Sequence, residues 1–287
     1  MCVPAMIKLF IFSYLPMVGV IMAFQYFVPK KGIFGSEFVG LDNFKFFFKS
    51  NDWFRITSNT IIMNLIFIFT GLLFSIIIAL LMYEITSKFF LKVTQTMMFF
   101  PFFISWTLTG LILLMFLNSN GIITVLAESI TGKSVNFYAN TDHWRLILTI
   151  VNIWKGVGIN AIIYYANMMS IDKEYYEAAS IAGANKLQAA WFITLPQIKT
   201  MAIVLTVMAM GNIIRADFGI FYFVPRNSAM LYPVTDVIDT YVYRAVSQLG
   251  DFPMASAVGL FQSVVGFILI IITNSIVRKV NKNAALF

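Results

Sequence analysis

The chain has 287 residues, of which 60% are hydrophobic and only 11% charged, whereas soluble domains carry roughly a quarter charged residues. So small a polar content excludes a water-soluble globule, and the net charge of +7 does not mark a nucleic-acid binder, because Lys and Arg lie in short segments between long apolar runs. One cysteine, Cys2, and one histidine, His143, exclude an intramolecular disulfide, cysteine clusters for zinc or iron–sulfur, and histidine-based metal or triad chemistry.

A helix needs about 20 apolar residues to cross a hydrocarbon core of about 30 Å. Six runs meet or approach that length, at about 6–27, 60–82, 96–117, 146–169, 200–223 and 254–277. In lipid each backbone amide must be satisfied within its own segment, so the runs are predicted to be helices. The fold expected is therefore an all-α integral membrane protein, with residues 1–287 forming a single transmembrane domain. Turn-forming sequences close several runs: Pro29-Lys30-Lys31-Gly32 the first, Asn118-Ser119-Asn120-Gly121 the third and Pro225-Arg226-Asn227-Ser228 the fifth. Arg278, Lys279 and Lys282 follow the last run, which places that end on the cytoplasmic side and, with an even number of crossings, the other end as well. The polar gaps, roughly 30 residues at most, are too short for a nucleotide-binding domain of ~100 to 150 residues. Any ATPase must be a separate chain.

The loop at about 170–199, between the fourth and fifth runs, carries the most informative motif. Glu177-Ala178-Ala179 is followed after three residues by Gly183, and after nine more by Ile193, Leu195 and Pro196. Residues 172–190 are predicted to form a short helix, with Asp172, Glu174 and Glu177 suited to its positive end. Its small residues leave a surface that another protein can approach closely, and Pro196 is expected to bend the chain into the fifth run.

This spacing resembles the coupling-loop signature of ABC-importer permeases. Residues 39–44 (Val-Gly-Leu-Asp-Asn-Phe) are similar to the external segment of carbohydrate permeases. Residues 101–106 (Pro-Phe-Phe-Ile-Ser-Trp), 153–158 (Ile-Trp-Lys-Gly-Val-Gly) and 239–244 (Asp-Thr-Tyr-Val-Tyr-Arg) look like the branch that handles polysaccharides and complex oligosaccharides. The resemblance implies a type I ABC-importer permease of the bacterial cytoplasmic membrane with a cytoplasmic coupling helix. Glu177, Ala178, Ala179, Gly183, Ile193, Leu195 and Pro196 would then form the contact with the ATPase. It also implies a second permease subunit, an ATPase dimer that carries ATP and Mg, an extracellular solute-binding protein and an oligosaccharide substrate. This chain itself would be non-catalytic and hold no cofactor and no metal. Ala182 departs from the family pattern, which usually has aspartate before the motif glycine.

Polar residues inside the runs mark a candidate pathway for the sugar. Asn152, Gly156, Asn160, Tyr164 and Asn167 recur at helical spacing in the fourth run, as do Gly211, Arg215, Gly219 and Tyr222 in the fifth. Small and amide residues also glue membrane helices together, but a charge within a span usually faces a cavity or a partner. Asn152, Lys155, Asn160, Tyr164, Arg215 and Tyr222 are therefore the expected pathway residues, with Lys155 and Arg215 at one depth and suited to hydroxyls or a sugar carboxylate. Asp217, two residues from Arg215, points elsewhere on a regular helix. The alternative is a stand-alone ion-coupled transporter or channel, which calls for membrane-embedded carboxylates and an internal repeat. Asp217 is the one acid well inside a run, and no repeat is evident.

Overall fold

A computed structural model describes residues 3–280, so Cys2 and Lys282 lie outside the described residues. Among the described residues, six helical stretches are long and apolar enough to cross a membrane: Val3–Phe24, Trp53–Tyr83, Trp106–Thr131, Trp144–Met168, Lys186–Gly211 and Phe252–Lys279. The first is α1. It is followed by a two-residue hairpin of β1 (Gln25–Tyr26) and β2 (Glu37–Phe38), paired antiparallel, and by a short helix, α2 (Asp42–Lys49). Helix α3 is Trp53–Tyr83, and α4 is Lys88–Phe103. Then come α5 (Trp106–Leu117), α6 (Ile122–Thr131) and α7 (Trp144–Met168). Helices α8 (Lys173–Ile181) and α9 (Lys186–Gly211) form one corner of the molecule. The last helices among the described residues are α10 (Phe218–Phe223), α11 (Ile238–Arg244) and α12 (Phe252–Val280).

Helices α3 and α7 lie side by side in the same direction and form the spine. In their first halves Arg145 reaches Asn59, and Met63 packs with Trp144, Leu148 and Val151. At their last turns Ala79 packs with Ala161, Tyr164 and Met168. Trp144 is fully buried with its indole donating to the Phe137 carbonyl, so its polar edge is satisfied in an apolar setting. A third cluster, from Phe47 and Ile56 to Ile214, Ile238, Met254 and Val258, joins α2, α11 and α12 to the first turns of α3. Outward-facing Met6, Phe10, Phe12, Phe69, Phe267 and many similar side chains stay exposed, as a lipid-facing surface requires.

Two of the expected runs are not single helices. The run at 96–117 breaks at Ile104 and Ser105: α4 ends just after Pro101, which cannot donate a helical hydrogen bond, and Ser105 starts α5 by accepting the Leu108 N–H. The run at 200–223 ends as a helix at Gly211, and Asn212 to Asp217 cross without helical structure before α10 begins. Arg215 therefore stands on irregular backbone. The helical spacing assumed for Arg215, Gly219 and Tyr222 does not apply, whereas the common depth inferred for Lys155 and Arg215 holds, since Asn64, level with Lys155 on the neighbouring helix, donates to the Arg215 carbonyl.

Candidate coupling surface and membrane cavities

The expected helix at 172–190 is two helices meeting at a corner. Asp172 caps α8 by accepting the Glu174 N–H at 3.1 Å. At the other end Gly183 adopts a left-handed conformation with φ of +81°. Its N–H bonds the Ser180 carbonyl, and the Ala184 N–H bonds that of Ala179, the paired bonds of a Schellman ending. The next helix starts at once, because Asn185 accepts the Gln188 N–H while Gln188 accepts the Asn185 N–H, both at 2.8 Å. Pro196 does not end the helix: a π-helical turn at Ala190–Thr194 precedes it, and α9 continues to Gly211.

The motif residues divide between two faces. Glu177, Ala178, Gly183 and Pro196 are exposed, together with Ile181 at 89% and Leu187 at 79%. Ala179, Ile193 and Leu195 are half-buried, and Leu195 packs on the Ala79, Tyr164 and Met168 cluster. The corner is fastened to α3 by the Tyr83 and Tyr176 rings, 5.6 Å apart, and by a 2.5 Å ion pair between Lys186 and Glu84. Tyr176 also shares a 2.9 Å hydrogen bond with the buried Thr194 hydroxyl. A 510 Å³ cavity between the end of α3 and this corner is lined by Leu80, Tyr83, Glu84, Ala179 and Lys186.

Midway along the bundle the two helix breaks sit together. Asn64, Lys155 and Gln262 lie ten or eleven residues into α3, α7 and α12, roughly 15 to 17 Å along each axis. All three serve the broken backbone. Asn64 donates to the carbonyls of Ile213 and Arg215 at 2.7 and 2.9 Å, and Gln262 donates to that of Ile214 at 2.9 Å. Asp239 accepts the Ala216 N–H at 2.8 Å. The Lys155 ammonium donates to the carbonyls of Pro101, Phe102 and Ile104 and lies 4.9 Å from the Trp106 ring centre. Irregular backbone at membrane depth persists only when its polar groups find such partners. Asp217 caps α10 through the Gly219 N–H and also accepts the Trp106 indole N–H at 3.0 Å.

The expected pathway residues fall into separate cavities. Asn152 and Lys155 line one of 450 Å³ with Trp106 and Asp217. Asn160 and Tyr164 line a second of 340 Å³ with Asn64, Ser75, Thr206 and Asn212. Tyr222 lines a third of 340 Å³ with Thr107, Arg226 and Asn227. The exposed Arg215 donates to the Ser263 hydroxyl at 2.7 Å and lines none of the three. Asp217 shares its cavity with Lys155. Asn64, Gln262 and Asp239 were not among the expected residues, although Asn64 and Gln262 are isolated amides within apolar runs, and such residues have a partner or a cavity.

Comparison with known proteins agrees with this architecture. Protein LplB of Bacillus subtilis (strain 168) is 36% identical over 281 residues, which cover 96% of this chain and 87% of LplB. The polygalacturonan/rhamnogalacturonan transport system permease protein YteP of the same strain is 34% identical, covering 97% of this chain and 87% of YteP. A solved bacterial alginate ABC transporter, in complex with an alginate pentasaccharide-bound periplasmic protein, contains a chain 31% identical to this one. The two superpose with a TM-score of 0.87 over 98% of this chain and 93% of the other. The family model of the binding-protein-dependent transport system inner membrane component matches residues 71–282, and the chain belongs to that family of multi-pass membrane transport permeases.

Proposed function

We infer that the chain is one permease subunit of a bacterial ATP-driven importer in the cytoplasmic membrane, and that it moves oligosaccharides bearing acidic sugars. The corner between α8 and α9 carries this reading. Its outward face combines Glu177, Ala178 and Gly183 with exposed Ile181 and Leu187, an apolar surface at a loop tip of a kind that a protein partner covers. Its inward face is pinned to α3 and merges into α9 without a break. A partner that closes on the outward face therefore moves α3 and α9 together, and α9 runs directly to the irregular crossing at Asn212 to Asp217. ATP and Mg belong to the ATPase dimer docked there. A second permease completes the pathway, and an extracellular solute-binding protein delivers the sugar.

Acidic sugars are favoured because the similar alginate transporter imports an acidic polysaccharide and YteP belongs to a polygalacturonan/rhamnogalacturonan transport system. The pathway residues that remain available are Asn152, Asn160, Arg215 and Tyr222, whereas Tyr164 is buried in the core beside Ala161 and Met168. Lys155 is committed to three carbonyls. Stand-alone ion coupling is disfavoured because Asp217 and Asp239 both accept structural hydrogen bonds and no internal repeat is evident. Affinity purification of the tagged chain, expressed with its neighbouring genes, tests the reading. A second permease and an ATPase pair are expected to co-elute, and a lone chain that transports by itself would overturn it.

A further inference from the structure

Among the described residues, three helix ends turn through a left-handed glycine: Gly132, Gly183 and Gly250, with φ from +66° to +81°. The end of α10 is the exception. The Arg226 N–H bonds the Phe223 carbonyl at 3.3 Å and the Asn227 N–H bonds that of Tyr222 at 2.9 Å, the same paired pattern seen at Gly183. Here the left-handed position, at φ of +57°, is held by Arg226. Asn227 follows at +47°, which asparagine tolerates, but a bulky side chain such as arginine rarely adopts this conformation. A strained residue persists only where its surroundings over-determine it.

Those surroundings are evident. Asn227 Oδ1 accepts from the Tyr232 hydroxyl at 3.0 Å and from Arg244 Nη1 at 3.1 Å. Arg244 lies over the Tyr232 ring and pairs at 2.6 Å with Asp236, whose side chain is 1% exposed. This clasp holds the turn. Arg226 itself is exposed, has no ion-pair partner among the described residues, and lines the 340 Å³ cavity with Thr107, Tyr222 and Asn227. That volume lies within the usual range of small-molecule sites, ~300–1,000 Å³. Gly110 opens the same cavity by letting α5 approach the Phe223 carbonyl so closely that a Cβ would collide with it.

We propose that Arg226 is a specificity-determining residue that binds the carboxylate of a uronate unit, with the Tyr222 ring beneath the sugar and the Thr107 hydroxyl beside it. An arginine fork suits a carboxylate, and the ring offers the apolar face that a pyranose needs. The site lies about 9 Å along α10 from the break at Asp217, towards the end of the bundle opposite the coupling corner. It therefore receives the sugar before the middle of the pathway does. The assignment rests on the reading of the chain as an oligosaccharide importer.

Arg226→Gly is the informative variant, because glycine fits the left-handed turn and removes only the side chain. The assembled importer in proteoliposomes is given tetragalacturonate or its methyl ester at several concentrations. For Arg226→Gly the KM for tetragalacturonate is expected to rise at least tenfold, with the methyl ester unchanged and the melting temperature of the complex no lower than wild type. Arg226→Lys should restore part of the difference. Unchanged kinetics with tetragalacturonate, or equal losses with both probes, would overturn the assignment and leave the importer reading intact. Failure of the wild-type importer with both probes would overturn the acidic-oligosaccharide reading, and this assignment with it.

Discussion

The indole of Trp106 donates to the carboxylate of Asp217 at 3.0 Å, and this one bond ties together the two broken helices of the bundle. Trp106 opens α5 just after the first break and Asp217 caps α10 just after the second. Gly219 permits the approach, since a Cβ at that position would fall on the Trp106 ring. The two breaks behave as one joint, held on its other sides by Asn64, Lys155 and Gln262.

The joint is testable by a double-mutant cycle. Gly219→Ala should destabilise the complex by about 1–3 kcal/mol through overpacking against a rigid ring. Trp106→Leu should lose roughly 1.5 to 3 kcal/mol from the hydrogen bond to a charged group. In the double variant the collision is gone, so the losses should be clearly less than additive. Thermal unfolding in detergent measures all three, and strict additivity would show that the pair does not act as described.

Gly183 offers a second test, because its surroundings within the chain are open and only its backbone conformation demands glycine. Gly183→Ala should cost about 1–2 kcal/mol and weaken substrate-stimulated ATP hydrolysis. Gly183→Asn should be milder, since asparagine tolerates the left-handed region. The opposite order, with the larger asparagine worse, would indicate a steric clash with the ATPase as the dominant effect.

Lys155 and Arg215 are expected to separate. Lys155→Met leaves three carbonyls without their donor and should lower the melting temperature, with a loss of roughly 1–3 kcal/mol, while the preference between acidic and neutral oligosaccharides stays the same. Arg215→Ala gives up one hydrogen bond to Ser263 and should keep stability but weaken uptake of the acidic sugar. A selectivity change in Lys155→Met with normal stability would contradict the division.

Helices α3, α7 and α12 were legible because each is a predominantly apolar run longer than the roughly 20 residues a bilayer needs. The coupling motif was legible as a surface, and Gly183 as part of it. The corner at Gly183 was not read, although the Asn185 and Gln188 pair is a start signal for a new helix. Both membrane breaks were also missed. Ser105 and Asp217 are good caps, but within an apolar run their effect depends on donors and acceptors from distant helices, such as Asn64 and Gln262. Periodicity along one segment carries no trace of such pairing. Asp217 does point away from Arg215, as expected, but from irregular backbone: it accepts from Trp106 while Arg215 donates to Ser263.

ATP-driven uptake is the most direct test of the central claim. The purified complex of this chain with its second permease and ATPase is reconstituted in proteoliposomes with the solute-binding protein and radiolabelled tetragalacturonate. Uptake is predicted to require both ATP and the binding protein, and to persist when ionophores collapse proton and sodium gradients. Uptake that proceeds without ATP and disappears with the ion gradients would contradict it.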